Sequence, residues 1–195
     1  MEKQPDIRIF IACHKPTYVP ENPIFYPVQV GTALTEKRLE HMAYRDNEGD
    51  NISGKNPDYC ELTAQYWAWK NIDCDYYGFF HYRRYLTFHR VCSGRILGKR
   101  QHPYIELDSV WDDLTPYWME AEWMVQQIAK YDLLTVYRER INTTVYRQYC
   151  QYHEAEELNH MLEIVNRVYP EYTDSAKAYM SSKDIYYMNM YIMKK

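Results

Sequence analysis

Two short apolar runs constrain this chain most, because each ends abruptly in positive charge. Residues 8–13 read RIFIAC and break at His14-Lys15-Pro16; residues 76–80 read YYGFF and break at His81-Tyr82-Arg83-Arg84. Runs of this length, rich in β-branched and aromatic residues and bounded by polar ones, predict buried strands. Residues 27–31, PVQVG, predict a second short strand, whereas 44–58, YRDNEGDNISGKNPD, hold too much Asp, Asn and Gly for a regular element. A helix is expected next. Asn56 suits the N-cap, Pro57 the first helical position, and Asp58 and Glu61 the positive end of the dipole. Leu62, Tyr66 and Trp69 then form its apolar face. Residues 87–112 show weak periodicity and predict a long excursion or hairpin. Helices follow from Thr115-Pro116 to about Lys130 and over 144–169, the latter carrying Leu158, Met161, Leu162, Val165 and Val168, with strands over 132–137 and 187–193. Strands alternating with helices give an α/β fold, a mainly parallel central sheet flanked by helices, in which ligands bind at the carboxyl ends of strands. No repeat or linker interrupts the sequence, so one domain over 1–195 is expected.

Composition narrows the function classes. The 23 Lys and Arg against 27 Asp and Glu leave a net charge of −4, which disfavours nucleic acid as a partner. Six glycines and no low-complexity tract exclude a disordered or fibrous chain. The apolar run ending at Cys13 is too short for a signal peptide or a membrane span, and no later segment reaches about 18 apolar residues. Five cysteines without a CxxC spacing predict reduced thiols in a cytoplasmic protein. The 22 tyrosines are unusual. They suit either an aromatic core or a polar pocket with aromatic walls.

Four motifs are candidates for chemistry. The loop 46–56 leads into a helix start, where free N–H groups favour phosphate and Asn and Asp side chains can hold sugar hydroxyls; a solvated turn explains it equally well. Asp73-Cys74-Asp75 has the form of a metal-binding Asp-x-Asp. It precedes its strand instead of following it, so it is expected to be a helix-to-strand turn. After the strand come His81, Arg83 and Tyr85 on one side of an extended segment, Tyr82 and Arg84 on the other. The two guanidiniums offer forked donors to a diphosphate without any metal. His14-Lys15 repeats that pattern more weakly. Trp67 and Trp69 cannot share a helix face, so at least one belongs to the core, and His153 and His160 lack carboxylates at ligand spacing.

The blocks DNEGDNISGKNPDYCELTAQYWAWKN, DYYGFFHYRRYL and YYMNMYIMKK, with HKP, PVQVG and YRQYCQYH, resemble the domain of unknown function 4422 family. The resemblance implies a GT-A-like, nucleotide-diphospho-sugar transferase domain of bacterial capsular or exopolysaccharide biosynthesis. It implies transfer from a nucleotide-sugar donor to a lipid-linked or oligosaccharide acceptor, in the cytoplasm or at the inner membrane face. By position, Ala12, His14, Lys15, Gly31, Asp46, Asn51, Lys55, Asn56 and Tyr82 would bind the donor. His81, Arg83 and Arg84 stand where such enzymes carry metal-binding carboxylates, and with Asp50 as base they form the implied catalytic set. Tyr187 and Asn189 would meet sugar or acceptor. No metal or other cofactor is expected. The family pattern runs on into a further helical stretch that these residues lack, so either a short member of the family or a truncated acceptor side is expected. The alternative is a non-catalytic nucleotide-sugar or glycan binding subunit.

Overall fold

The computed structural model describes residues 4–88, 95–96, 99–100, 104–107 and 115–195. Its contacts form two compact units, residues 1–135 with 189–195 and residues 136–188.

The first unit is built on strand β1 (Ile7–Cys13), which has a strand paired along each edge and a hydrophobic cluster packed on each face. β2 (Phe25–Gln29) and β4 (Tyr76–His81) flank it in parallel, and β3 (Tyr44–Arg45) extends the sheet beyond β2. The other edge departs from the expected mainly parallel sheet. β10 (Tyr191–Lys194) runs antiparallel both to β4 and to β7 (Leu133–Thr135), giving a mixed sheet of order β3-β2-β1-β4-β10-β7. Gly78 permits this crossing: a Cβ there would lie 2.7 Å from the Ile9 side chain and 3.2 Å from Ile192. The excursion expected over 87–112 lies largely outside the described residues, as does Cys92; a two-strand pairing of β5 (Arg95–Ile96) with β6 (Lys99–Arg100) is present.

Each face of the sheet carries its own core. Ile9, Ile11, Cys13, Phe80 and Tyr82 pack with Met124, Val125 and Ile128 of α3 (Ala121–Ile128). On the opposite face Phe10, Ala12, Tyr77 and Phe79 meet Ala64, Trp67 and Ala68 of α2 (Leu62–Asn71). The predicted helix over 56–71 is therefore two helices, α1 (Asn56–Tyr59) and α2, broken at Cys60. Its apolar face is also not the predicted one. Trp67 is 3% exposed, whereas Leu62 and Trp69 are exposed at 40% and 64%. Truncating a buried tryptophan of this kind costs about 3–5 kcal/mol. Burial also pushes the Cys13 thiol up to about 12, which leaves it unreactive.

The second unit pairs β8 (Arg138–Arg140) with β9 (Asp184–Tyr186), and Arg140 meets Asp184 at 3.1 Å. The helix expected over 144–169 starts where predicted, with Thr144 capping the Arg147 N–H, but it is split into α4 (Val145–Tyr149) and α5 (Ala155–Val168) by a turn. α6 (Thr173–Ser181) completes the unit. Among the described residues no helix is long and apolar enough to cross a membrane.

Candidate active site

The carboxyl ends of β1 and β4 lie side by side, joined where the Tyr82 N–H donates to the Ala12 carbonyl at 3.2 Å. Ala12 itself is buried. The predicted extended HYRRY segment is instead a tight turn: His81 donates to the Arg84 carbonyl at 3.2 Å and accepts from the Arg84 N–H at 2.9 Å. The turn gathers charge around one ring. Tyr82, 3% exposed, has the His14 ring edge-on at 4.9 Å, Lys15 Nζ at 5.3 Å and the Arg83 guanidinium at 5.1 Å from its centroid. Such cation–π contacts orient the cations without neutralising them. Among the described residues no carboxylate lies within ion-pair distance of His14, Lys15, Arg83 or Arg84.

His81 projects from the α2 face of the sheet, like Tyr77 and Phe79 before it. Its Nδ1 accepts the Arg83 backbone N–H at 3.4 Å, which assigns the ring proton to Nε2. Burial, then the Arg84 and Arg83 guanidiniums, lower its pKa below the ordinary 6.5, and His14 adds to the effect. One group opposes them: the carboxylate of Glu61, at the start of α2.

The loop after β3 contributes differently. Asp46 is fully buried, and its carboxylate accepts from the Gly31 and Thr32 N–H groups and from the hydroxyls of Thr32, Ser53 and Thr63, at 2.5–3.1 Å. It holds the loop from behind and presents no oxygen to solvent. Gly31, at φ +68°, abuts Asn56, whose Nδ2 donates to the Cys60 carbonyl and to Thr63. Asn51 spends its side chain within the loop, donating to the carbonyls of Asn47 and Gly49. Lys55 is exposed beside Asn56.

Asp50 is not brought to the cluster. It exchanges hydrogen bonds with Asn71, the last residue of α2, and accepts from the Tyr66 hydroxyl at 3.1 Å. Ten helical residues put that end of α2 about 14 Å from its start, so the base expected at Asp50 sits towards the opposite edge of the sheet. Asn189 precedes β10 by two residues, and the Tyr191–Phe79 register puts it at the level of His81. Tyr187 belongs to the second unit.

Residues 8–195 match the family described as Domain of unknown function (DUF4422). The chain belongs to this family. Among solved structures it is similar to the WbbM bifunctional glycosyltransferase in its apo form, with 32% identity and a TM-score of 0.81 over 97% of the chain. The match covers 34% of WbbM, so the chain spans about a third of that protein's length. No curated protein matches it.

In this DUF4422 chain the Asp-x-Asp of residues 73–75 is the turn predicted from its position. It lies at the amino end of β4, where Asp75 accepts the Asp6 N–H and Lys195 pairs with Asp73. Among the described residues no three His, Cys, Asp or Glu side chains are grouped to hold a metal. Glu61, which the sequence offers only as a residue favouring the helix dipole, is brought by the start of α2 within electrostatic reach of His81.

Proposed function

We propose that residues 1–195 form one glycosyltransferase domain that moves a sugar from a nucleotide-diphosphate donor to a growing bacterial surface polysaccharide. The observation that carries this reading is the set of cations, Lys15, Arg83 and Arg84, which have no carboxylate partner among the described residues at the joined ends of β1 and β4. Unpaired cations at this edge suit a polyanionic ligand, and the likeness to a part of a glycosyltransferase supports a diphosphate leaving group. In transfer the anomeric carbon loses its bond to phosphate while a hydroxyl attacks. The guanidiniums would then stabilise the charge developing on the nucleoside diphosphate, the task that a divalent metal performs elsewhere. The neutral His81, with its proton on Nε2, adds a hydrogen-bond donor to the same edge. Gly31, Asn51, Lys55 and Asn56 shape the loop beside it, with Asp46 as its buried anchor, and Asn189 stands at the edge reached by β10. The reading places the protein in the cytoplasm, peripheral to the inner membrane, with a lipid-linked or oligosaccharide acceptor.

The test is a panel of UDP-, GDP- and dTDP-sugars with lipid-linked acceptor, assayed with and without EDTA. Transfer that survives chelation is expected. Activity lost on chelation and restored by Mn²⁺ overturns the metal-free assignment, and binding without any transfer leaves a binding module in place of an enzyme.

A further inference from the structure

We propose that Glu61 is the base that takes the proton from the acceptor hydroxyl, and that transfer consequently inverts the anomeric centre. The proposal rests on the glycosyltransferase reading and deepens it.

Three observations converge on Glu61. The first is direction. Glu61 and Gln65 are four residues apart and share one face of the helix. Gln65 accepts the Tyr191 hydroxyl at 2.9 Å, and Tyr191 pairs with Phe79, two residues before His81. The face that carries Glu61 is thereby turned towards the top of β4 and β10, and the charge of Glu61 reaches the His81 ring.

The second is backbone strain. Cys60, immediately before Glu61, is held at φ +47° and ψ −127°, a conformation that glycine favours. Its carbonyl accepts from Asn56 Nδ2 at 2.8 Å. A strained residue persists only where its surroundings over-determine it, and such residues concentrate at functional sites. Here the strain ends α1 and restarts the helix with Glu61 at its head.

The third is elimination within the cluster. His81 turns its Nδ1 lone pair to the Arg83 N–H and carries its proton on Nε2, so the neutral ring offers a donor to the site and not a free lone pair. Lys15, Arg83 and Arg84 supply cations. Asp46 is buried behind the loop and Asp50 sits at the far end of α2. Among the described residues, Glu61, half-buried at the start of α2, is left as the carboxylate for proton transfer.

The step balances in one displacement. The acceptor oxygen gives its proton to the Glu61 carboxylate and bonds to the anomeric carbon. The carbon–phosphate oxygen bond breaks, and its electron pair leaves with the nucleoside diphosphate, whose charge Arg83 and Arg84 meet.

Glu61→Gln should lower the transfer rate by about 10²–10⁴-fold, while calorimetry with UDP, GDP and dTDP shows nucleotide affinity within about twofold of wild type. Added formate should restore at least about tenfold of the activity lost in Glu61→Ala, which a structural role would not allow. NMR of the product should show the inverted anomer. Wild-type turnover together with a Glu61→Gln rate within about fivefold of it overturns the assignment of the base alone. So does a retained anomer, or a Glu61→Gln protein that unfolds at wild-type temperatures while Glu61→Ala resists formate rescue. Absence of wild-type turnover with every donor overturns the glycosyltransferase reading and this proposal together.

Discussion

The two ends of the six-stranded sheet treat charge in opposite ways. At the amino end, Arg8 pairs with Asp6 at 2.9 Å, the Asp6 N–H donates to Asp75, Lys195 pairs with Asp73, and Lys194 approaches Asp132 at 3.8 Å. The Lys195 contact holds the Asp73 carboxyl below its usual range. At the carboxyl end, Lys15 and Arg83 lean on the Tyr82 ring, and Glu61 is the carboxylate that acts on His81. One end closes its charges on each other and the other leaves them for something else. Among the described residues no carboxylate pairs with Lys15, Arg83 or Arg84, and the proposed ligand side rests on this contrast.

Substitutions at the two ends should separate cleanly. The double change Arg83→Ala with Arg84→Ala should cut transfer by about 10³-fold, as loss of preorganised charge stabilisation does, with the melting temperature nearly unchanged. A collapse of stability instead would show that these arginines serve the fold. Asp46→Ala should lower stability by about 4 kcal/mol in chemical denaturation, because it strands two N–H groups and three buried hydroxyls. Cys60→Gly should raise stability by about 1 kcal/mol by relieving the positive φ. The pH dependence of His81 sharpens the contrast further. Since folding lowers its pKa, the unfolded chain binds the proton more tightly. Its contribution is complete above the ordinary 6.5 and is lost as pH falls through the lower folded value. His81→Gln should flatten that acid-side loss in denaturation curves recorded between about pH 7 and 5. Asp73→Ala, at the paired and exposed end, should leave both the melting temperature and transfer essentially unchanged.

What was legible in the sequence is what local pattern determines. β1, β2 and β4 follow from β-branched and aromatic runs with polar stops, and the Asp-x-Asp turn follows from its order relative to β4. That Trp67 and Trp69 part company follows from helix geometry, but not that Trp67 is the buried one. The rest depends on contacts distant in sequence. The antiparallel position of β10 rests on pairing with β4, Tyr191 opposite Phe79, and with β7, Tyr191 opposite Thr135, both far away in sequence, and an apolar run gives no direction for either. The buried face of α2 escaped because aromatic residues lie all round that helix, so no single stripe stands out. Asp50 was drawn to the site by composition, but its loop is routed along α2 by Asn71, a side chain 21 residues away. The tyrosines divide in the same manner. Tyr76 and Tyr77 are buried as strand residues and Tyr82 in the turn after them, whereas Tyr59, Tyr186 and Tyr187 are exposed.

The late position of β10 in the chain also bears on how the protein is made. A ribosome delivers β1, β2 and β4 within the first 81 residues, yet the strand that covers the open edge of β4 is not complete until residue 194. Until then Phe79 and its neighbours expose unpaired backbone groups on an aromatic edge, the kind of template on which nascent chains aggregate. Expression of this protein should therefore gain from slower synthesis or from chaperones that shield strand edges, needs that the finished sheet no longer shows.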